Sequence, residues 1–148
     1  MSASPMTGQG PTPDTVDHTF RVRYAETDQM GVVHNAVYLT WFEIGRTEYS
    51  IFRDFPYSRI EEEGIILVVA ESRVVYKKPA HYDDLVTVRT WVSRLKPKVV
   101  TFSYQIVRHN TGDLLAEGET THVALSRETN RPTKMSEECL ARLGPKAE

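Results

Sequence analysis

Residues 35–52 read NAVYLTWFEIGRTEYSIF, and the placement of this stretch against the segments around it decides the fold. Val37, Tyr38, Trp41, Ile44, Gly45, Tyr49 and Phe52 recur at three- and four-residue steps, the spacing of one apolar side of an α-helix. Thr40, Glu43, Arg46, Thr47, Ser50 and Arg53 fall on the opposite side. Asn35 stands where an N-cap belongs, and Pro56 lies beyond the point where the helix must have ended. Glycine costs a helix interior about 1 kcal/mol relative to alanine. Gly45 therefore predicts a close approach between this helix and another element.

Upstream, Phe20, Val22 and Tyr24 alternate with Arg21 and Arg23, the period of a half-buried strand, and AETDQMGVVHN follows as a loop. Downstream, a short helix is expected at 58–63, then four long strands at 65–77, 85–95, 99–108 and 114–126. Val86, Val88, Thr90 and Val92 share one face of the second of these, and Val100, Phe102, Tyr104 and Ile106 one face of the third. Short Pro-, Asn- and Gly-containing turns separate the strands, so neighbours run antiparallel. One helix followed by strands alone is an α+β arrangement whose apolar surfaces are covered only if the sheet curls around the helix. Such a sheet keeps a free edge strand, which predicts a homodimer by sheet extension, or a homotetramer built from it. A last helical turn is expected at 136–143, stopped by Gly144 and Pro145.

The expected organisation is an N-terminal disordered tail, 1–18, rich in Pro, Gly, Ser and Thr; one domain, 19–135; and a short C-terminal segment, 136–148. A chain of 148 residues, 40% apolar, has the size of one domain. A net charge of -2 gives no basic excess for a nucleic-acid partner. Cys139 is the single cysteine, so no internal disulfide forms and a cytoplasmic location is the default. The longest apolar run, 65–70, is too short to cross a bilayer. His18, His34, His81, His109 and His122 are scattered without metal-ligand spacing, and neither a nucleophile elbow nor a Gly-rich phosphate loop occurs.

The segment from Arg21 to Tyr38, RVRYAETDQMGVVHNAVY, resembles the signature of the 4-hydroxybenzoyl-CoA thioesterase family, in particular its YbgC-like acyl-CoA thioesterase branch. Phe42-Glu43-x-x-Arg46-Thr47-Glu48 and Lys78-Pro79-Ala80-x-Tyr82-x-Asp84 are similar to later motifs of that branch, so the resemblance covers about residues 19–126. It implies the hotdog fold, a long curved antiparallel sheet wrapped around one central helix. It also implies hydrolysis of an acyl-CoA thioester, with no cofactor beyond the coenzyme A carried by the substrate. Asp28 is then the catalytic carboxylate, as base or nucleophile.

Thioester hydrolysis needs a base or nucleophile beside donors for the developing oxyanion. The first N–H groups of a helix lack intrahelical partners and sit at its positive end, so the peptides from Val33 to Ala36 are candidate donors. The competing reading of Asp28 is a turn residue whose carboxylate bonds neighbouring backbone. His34, at the helix entrance, is a candidate for contact with the thioester or leaving group, or a helix-start residue with a structural role. Asn35 orients a ligand or caps the helix. Glu43 is either a polar neighbour of the site or an i+3 or i+4 partner of Arg46 or Thr47. Tyr24 and Tyr38 line an acyl pocket or belong to the core. Lys77, Lys78, Arg94, Lys96, Lys98, Arg127 and Arg131 are candidates for the coenzyme A phosphates. Alternatives on the same fold are a hydratase, whose motif separates Asp and His by four residues where five separate Asp28 from His34, and a non-catalytic acyl-CoA-binding module.

Overall fold

The computed structural model describes residues 10–144, so expectations for 1–9 and 145–148 fall outside it. Five strands and three helices follow one another as β1 (Val16–Arg21), α1 (Val37–Phe52), α2 (Tyr57–Glu62), β2 (Ile65–Tyr76), β3 (Leu85–Lys96), β4 (Val99–Arg108), β5 (Leu114–Ser126) and α3 (Glu137–Leu143). The long strands lie within a residue of their expected bounds, because alternation along them is sustained. At the N-terminus the expectation is corrected: β1 begins at Val16, inside the stretch read as tail, and Tyr24 lies past its end in a single 3-10 turn, Tyr24–Glu26. Pairing of Val16 with Thr90 and His18 with Val88 recruits polar residues that composition alone assigns to a tail.

The strands form one antiparallel sheet in the order β1-β3-β4-β5-β2, with β1 and β2 at its edges. Register shifts between Val69 and Glu71 of β2, between Val92 and Arg94 of β3 and between Ile106 and Val107 of β4 add local twist, and the sheet curls around α1. The expected inward faces of β3 and β4 pack against Tyr38, Trp41, Phe42 and Tyr49 of the helix, forming a single core. Each large apolar side chain so covered stabilises the fold by roughly 1.5–3 kcal/mol. Gly45 does mark a close approach: a Cβ there would overlap Thr90 Oγ1 and lie 2.9 Å from a Val88 methyl.

Three helix-face assignments change, the first being Ser50, which was expected on the polar side and is fully buried with its hydroxyl donating to the Arg46 carbonyl. Phe42 is fully buried, stacked on Tyr104 with centroids 4.2 Å apart, whereas Phe52 is 70% exposed. Arg53, expected on the polar side, is only 8% exposed: its guanidinium donates to Asp14 and to the carbonyls of Arg142 and Gly144. The C-terminal turn is also more than an appendage. Ser136 caps α3 through the Cys139 N–H, and Cys139 and Leu143 are buried in the main core.

His122 on β5 is buried beside Phe102, with Nε2 2.8 Å from Thr120 Oγ1, which lies 2.5 Å from the Tyr104 hydroxyl. Burial, with the nearby Arg46 charge, lowers its pKa from 6.5 to about 4. The unfolded chain therefore binds a proton between those values that the folded one refuses. Stability should fall by roughly 3 kcal/mol as the pH drops from 6.5 to about 4, with no further loss from this group below that. Thermal unfolding of wild type and His122→Gln across this range checks the expectation; equal slopes would refute it.

Candidate active site

Between β1 and α1 the chain makes a small hairpin. Thr27 and Val33 pair across it, the Asp28 N–H donates to the Val32 carbonyl at 2.9 Å, and the Gly31 N–H closes a turn onto the Asp28 carbonyl at 3.0 Å. Gly31 adopts φ 77°, a conformation glycine takes without strain. Asp28 Oδ1 accepts from the N–H groups of Met30 at 2.8 Å and Val32 at 3.2 Å. The turn-forming reading of Asp28 thus describes one of its oxygens. Oδ2 has no bonding partner among the described residues, and the side chain is exposed.

The second motif holds the first in place. Val33 N–H donates to the Ala80 carbonyl, Tyr82 N–H to the Gly31 carbonyl, and Val32 pairs with His81. Tyr24, 77% exposed and so not a core residue, packs edge-on against Tyr82. From below, Glu26 ties the hairpin to the helix: its carboxylate accepts from Arg23 N–H at 2.8 Å and Trp41 Nε1 at 2.9 Å, while its carbonyl accepts from His34 N–H. Burial alone would raise the Glu26 pKa, yet the Arg23 amide, the Trp41 indole and the Arg23 guanidinium together hold it below the ordinary carboxylate value. Glu26 is the residue that sequence reasoning missed. Its signal was a carboxylate two positions before Asp28, inside the quoted motif.

The helix entrance departs from expectation. Its N-cap is Ala36, in a helical conformation and without a side-chain cap, because the Asn35 carbonyl is held by the Tyr76 hydroxyl at 2.9 Å and the chain enters the helix one residue later. Val33 and His34 amides are spent on Ala80 and Glu26. The N–H groups of Asn35 and Ala36 have no hydrogen-bond acceptor among the described residues, and both residues are exposed. These two, at the positive end of a 16-residue helix, are the donors left for an anionic oxygen.

A cleft of about 230 Å³ opens here, lined by Val32, Val33, Asn35, Tyr38, Tyr76, Lys77, Lys78 and Pro79. Tyr38 is buried at its floor, edge-on to Trp41 and Tyr76. Burial raises its pKa, partly offset by the Ala80 backbone, so the phenol stays protonated. Val32, whose amide anchors Asp28, is part of the cleft wall. His34 is exposed beside the helix entrance, outside the cleft lining. Lys77 and Lys78 stand at the rim, 3.7 Å from Glu117 and 3.3 Å from Asp113. Arg94, Lys96 and Lys98 sit at the far end of β3, and Arg127 and Arg131 beyond the far end of β5. Glu43 is not in this cleft. It lines a separate pocket with Arg46 and Thr47, and no salt bridge joins it to Arg46 among the described residues.

No helix among the described residues is long and apolar enough to cross a membrane. A family model of the thioesterase-like superfamily matches residues 22–143. YneP of Bacillus subtilis strain 168, provisionally named an acyl-CoA thioesterase, is 37% identical over 111 residues, 75% of this chain and 80% of that protein. The acyl-CoA thioester hydrolase YbgC of Escherichia coli O6:H1 is 30% identical over 122 residues, 82% of this chain and 90% of that one. The crystal structure of the DHNA-CoA thioesterase of Staphylococcus aureus superposes with a TM-score of 0.77 at 34% identity, covering 81% of this chain and 80% of that one.

Proposed function

The chain belongs to the thioesterase-like superfamily and is a hotdog thioester hydrolase, and from that premise we propose that it hydrolyses an acyl-CoA to the free acid and coenzyme A at the hairpin-to-helix junction. The observation that carries the reading is the joining, in the nine residues from Asp28 to Ala36, of a carboxylate anchored through one oxygen and two unpartnered helix-entrance amides beside a cleft. Asp28 takes a proton from water. The hydroxide attacks the thioester carbonyl carbon, and the oxyanion that forms faces the Asn35 and Ala36 N–H groups. Collapse breaks the C–S bond, and the departing sulfur recovers the proton from Asp28. In the alternative route Asp28 attacks directly and a mixed anhydride forms, which water then cleaves; label from water enters the enzyme only in that case.

Tyr38 and Val33 bound the acyl side of the cleft, with Tyr24 at its outer rim. His34 meets the leaving group, and Asn35 contributes its amide rather than a cap. The Lys77–Lys78 rim suits the phosphates of coenzyme A, and no cofactor is used. The β2 edge, with Val68 and Val69 more than 40% exposed, supports pairing of two copies by sheet extension, as a homodimer or as half of a homotetramer in the cytoplasm. Release of free thiol from a saturated acyl-CoA tests the reading. Hydrolysis is expected; a hydratase or a binding module would leave that ester intact.

A further inference from the structure

The two unspent amides at the helix entrance are aimed by their own peptide planes. In a trans peptide the N–H points opposite to the carbonyl that shares its plane, so whatever grips that carbonyl also directs the N–H. The Asn35 N–H shares its plane with the His34 carbonyl, which accepts from Val37 N–H at 3.0 Å, a local contact at the start of α1. The Ala36 N–H shares its plane with the Asn35 carbonyl, and here the grip is not local. Leu39 N–H, the helical donor four residues on, goes to the Ala36 carbonyl instead, at 3.3 Å. Among the described residues the Asn35 carbonyl accepts only from the Tyr76 hydroxyl, at 2.9 Å.

Tyr76 is well placed to hold that peptide still. It is the last residue of the edge strand β2, and its backbone is registered against Ala116 of β5. Its ring stands edge-on to the buried Tyr38, with centroids 5.1 Å apart and planes at 81°, so the phenol is braced against α1 while its hydroxyl reaches back to the helix entrance. At 47% exposure Tyr76 has water within reach, and a hydroxyl in that position needs no protein acceptor for stability. The bond it makes has a consequence for chemistry instead. A hydrogen bond to a carbonyl polarises the peptide, which strengthens the N–H on the opposite side as a donor. We infer that Tyr76 is a positioning residue for thioester hydrolysis: its hydroxyl fixes and polarises the peptide between Asn35 and Ala36 so that the Ala36 N–H meets the developing oxyanion. Tyr76 acts through that peptide and not on the reacting atoms.

This role rests on the thioesterase reading, and the test separates the two. Tyr76→Phe keeps the ring and its contact with Tyr38 and removes one hydroxyl, so Tm should stay close to wild type. Outright removal of an oxyanion donor costs about 10²–10³ in kcat, and here the donor is loosened, so kcat for a saturated acyl-CoA should fall about tenfold with KM changed less than about twofold. A coenzyme A thioether carrying a trifluoromethyl ketone, which takes up water to a tetrahedral centre, should bind the variant about tenfold more weakly, whereas a plain S-alkyl thioether of coenzyme A should bind both proteins alike. In amide NMR spectra of the ligand-free protein, the Ala36 resonance should move upfield in the variant as its peptide loses polarisation. Wild-type kcat, a change confined to KM, or equal weakening of both thioethers would overturn the positioning role and leave Asp28-dependent hydrolysis standing. A fallen kcat with an unmoved Ala36 resonance would overturn it too, since the hydroxyl would then act on the substrate directly. Failure of the wild-type protein to cleave the ester overturns the activity itself, and the inference with it.

Discussion

Asp28→Asn is expected to lower kcat for acyl-CoA hydrolysis by about 10²–10⁴-fold while leaving Tm nearly unchanged. The separation follows from the two oxygens of the side chain. Oδ1 accepts from the Met30 and Val32 N–H groups, and an asparagine carbonyl can accept from both in the same way. What asparagine cannot supply is the negative charge and basicity of the other oxygen. Asp28→Ala removes the turn acceptors as well, at a cost of about 1–2 kcal/mol, so it confounds loop order with chemistry. The asparagine variant is the informative one. Wild-type turnover by a folded Asp28→Asn protein would take Asp28 out of the mechanism and leave it a turn residue.

Gly118→Ala should be the most damaging single-methyl change in the sheet. Gly118 on β5 lies opposite Tyr104 of β4 and Val74 of β2. A Cβ there would overlap the Arg73 carbonyl oxygen and come within 2.5–2.6 Å of the Phe42 ring. Neither neighbour can give way. The carbonyl belongs to the backbone of the β2–β5 ladder, and Phe42 is fully buried with its ring stacked on Tyr104. Overpacking of this kind costs about 1–3 kcal/mol when side chains can adjust, and here backbone must move, so a loss of about 3 kcal/mol or more is expected. Urea unfolding of the variant measures it. A midpoint shift worth less than about 0.5 kcal/mol would show that β2 and α1 are not held as closely to β5 as the structure has them.

Much of the architecture was legible before any coordinates. The strands 85–96, 99–108 and 114–126 announced themselves because alternation along them is long and regular. Gly45 predicted a close approach, and Thr90 and Val88 are what it approaches. The segment 21–38 was readable as a unit through its resemblance to a family signature, whereas its turn residues by themselves gave only a loop; the hairpin inside it comes from the structure. Less legible was which side of α1 is buried, as Ser50, Phe52 and Arg53 show. Phe42 and Phe52 both sit at helical spacing from Tyr38 and Tyr49, and periodicity says that a stripe exists without saying which of two adjacent stripes meets the sheet. The N-cap was misplaced for a similar reason. Asn35 has the right chemistry to cap, but the Tyr76 hydroxyl, 41 residues away, takes hold of its carbonyl.

The sequence by itself therefore determined the order and kind of elements, the inward faces of β3 and β4, and the family whose signature residues 21–38 carry. Each of these is a local property, set by side-chain period, turn chemistry or a short run of residues. Only the tertiary structure decided which amides at the helix entrance stay unspent, that Glu26 is drawn beneath the hairpin, that Arg53 is buried, and that Glu43 and Arg46 face a second pocket instead of the first. Those outcomes depend on which distant groups arrive to accept or donate a hydrogen bond. Contacts between positions tens of residues apart, such as Val33 with Ala80 or Arg53 with Gly144, exist only once the sheet has closed around the helix.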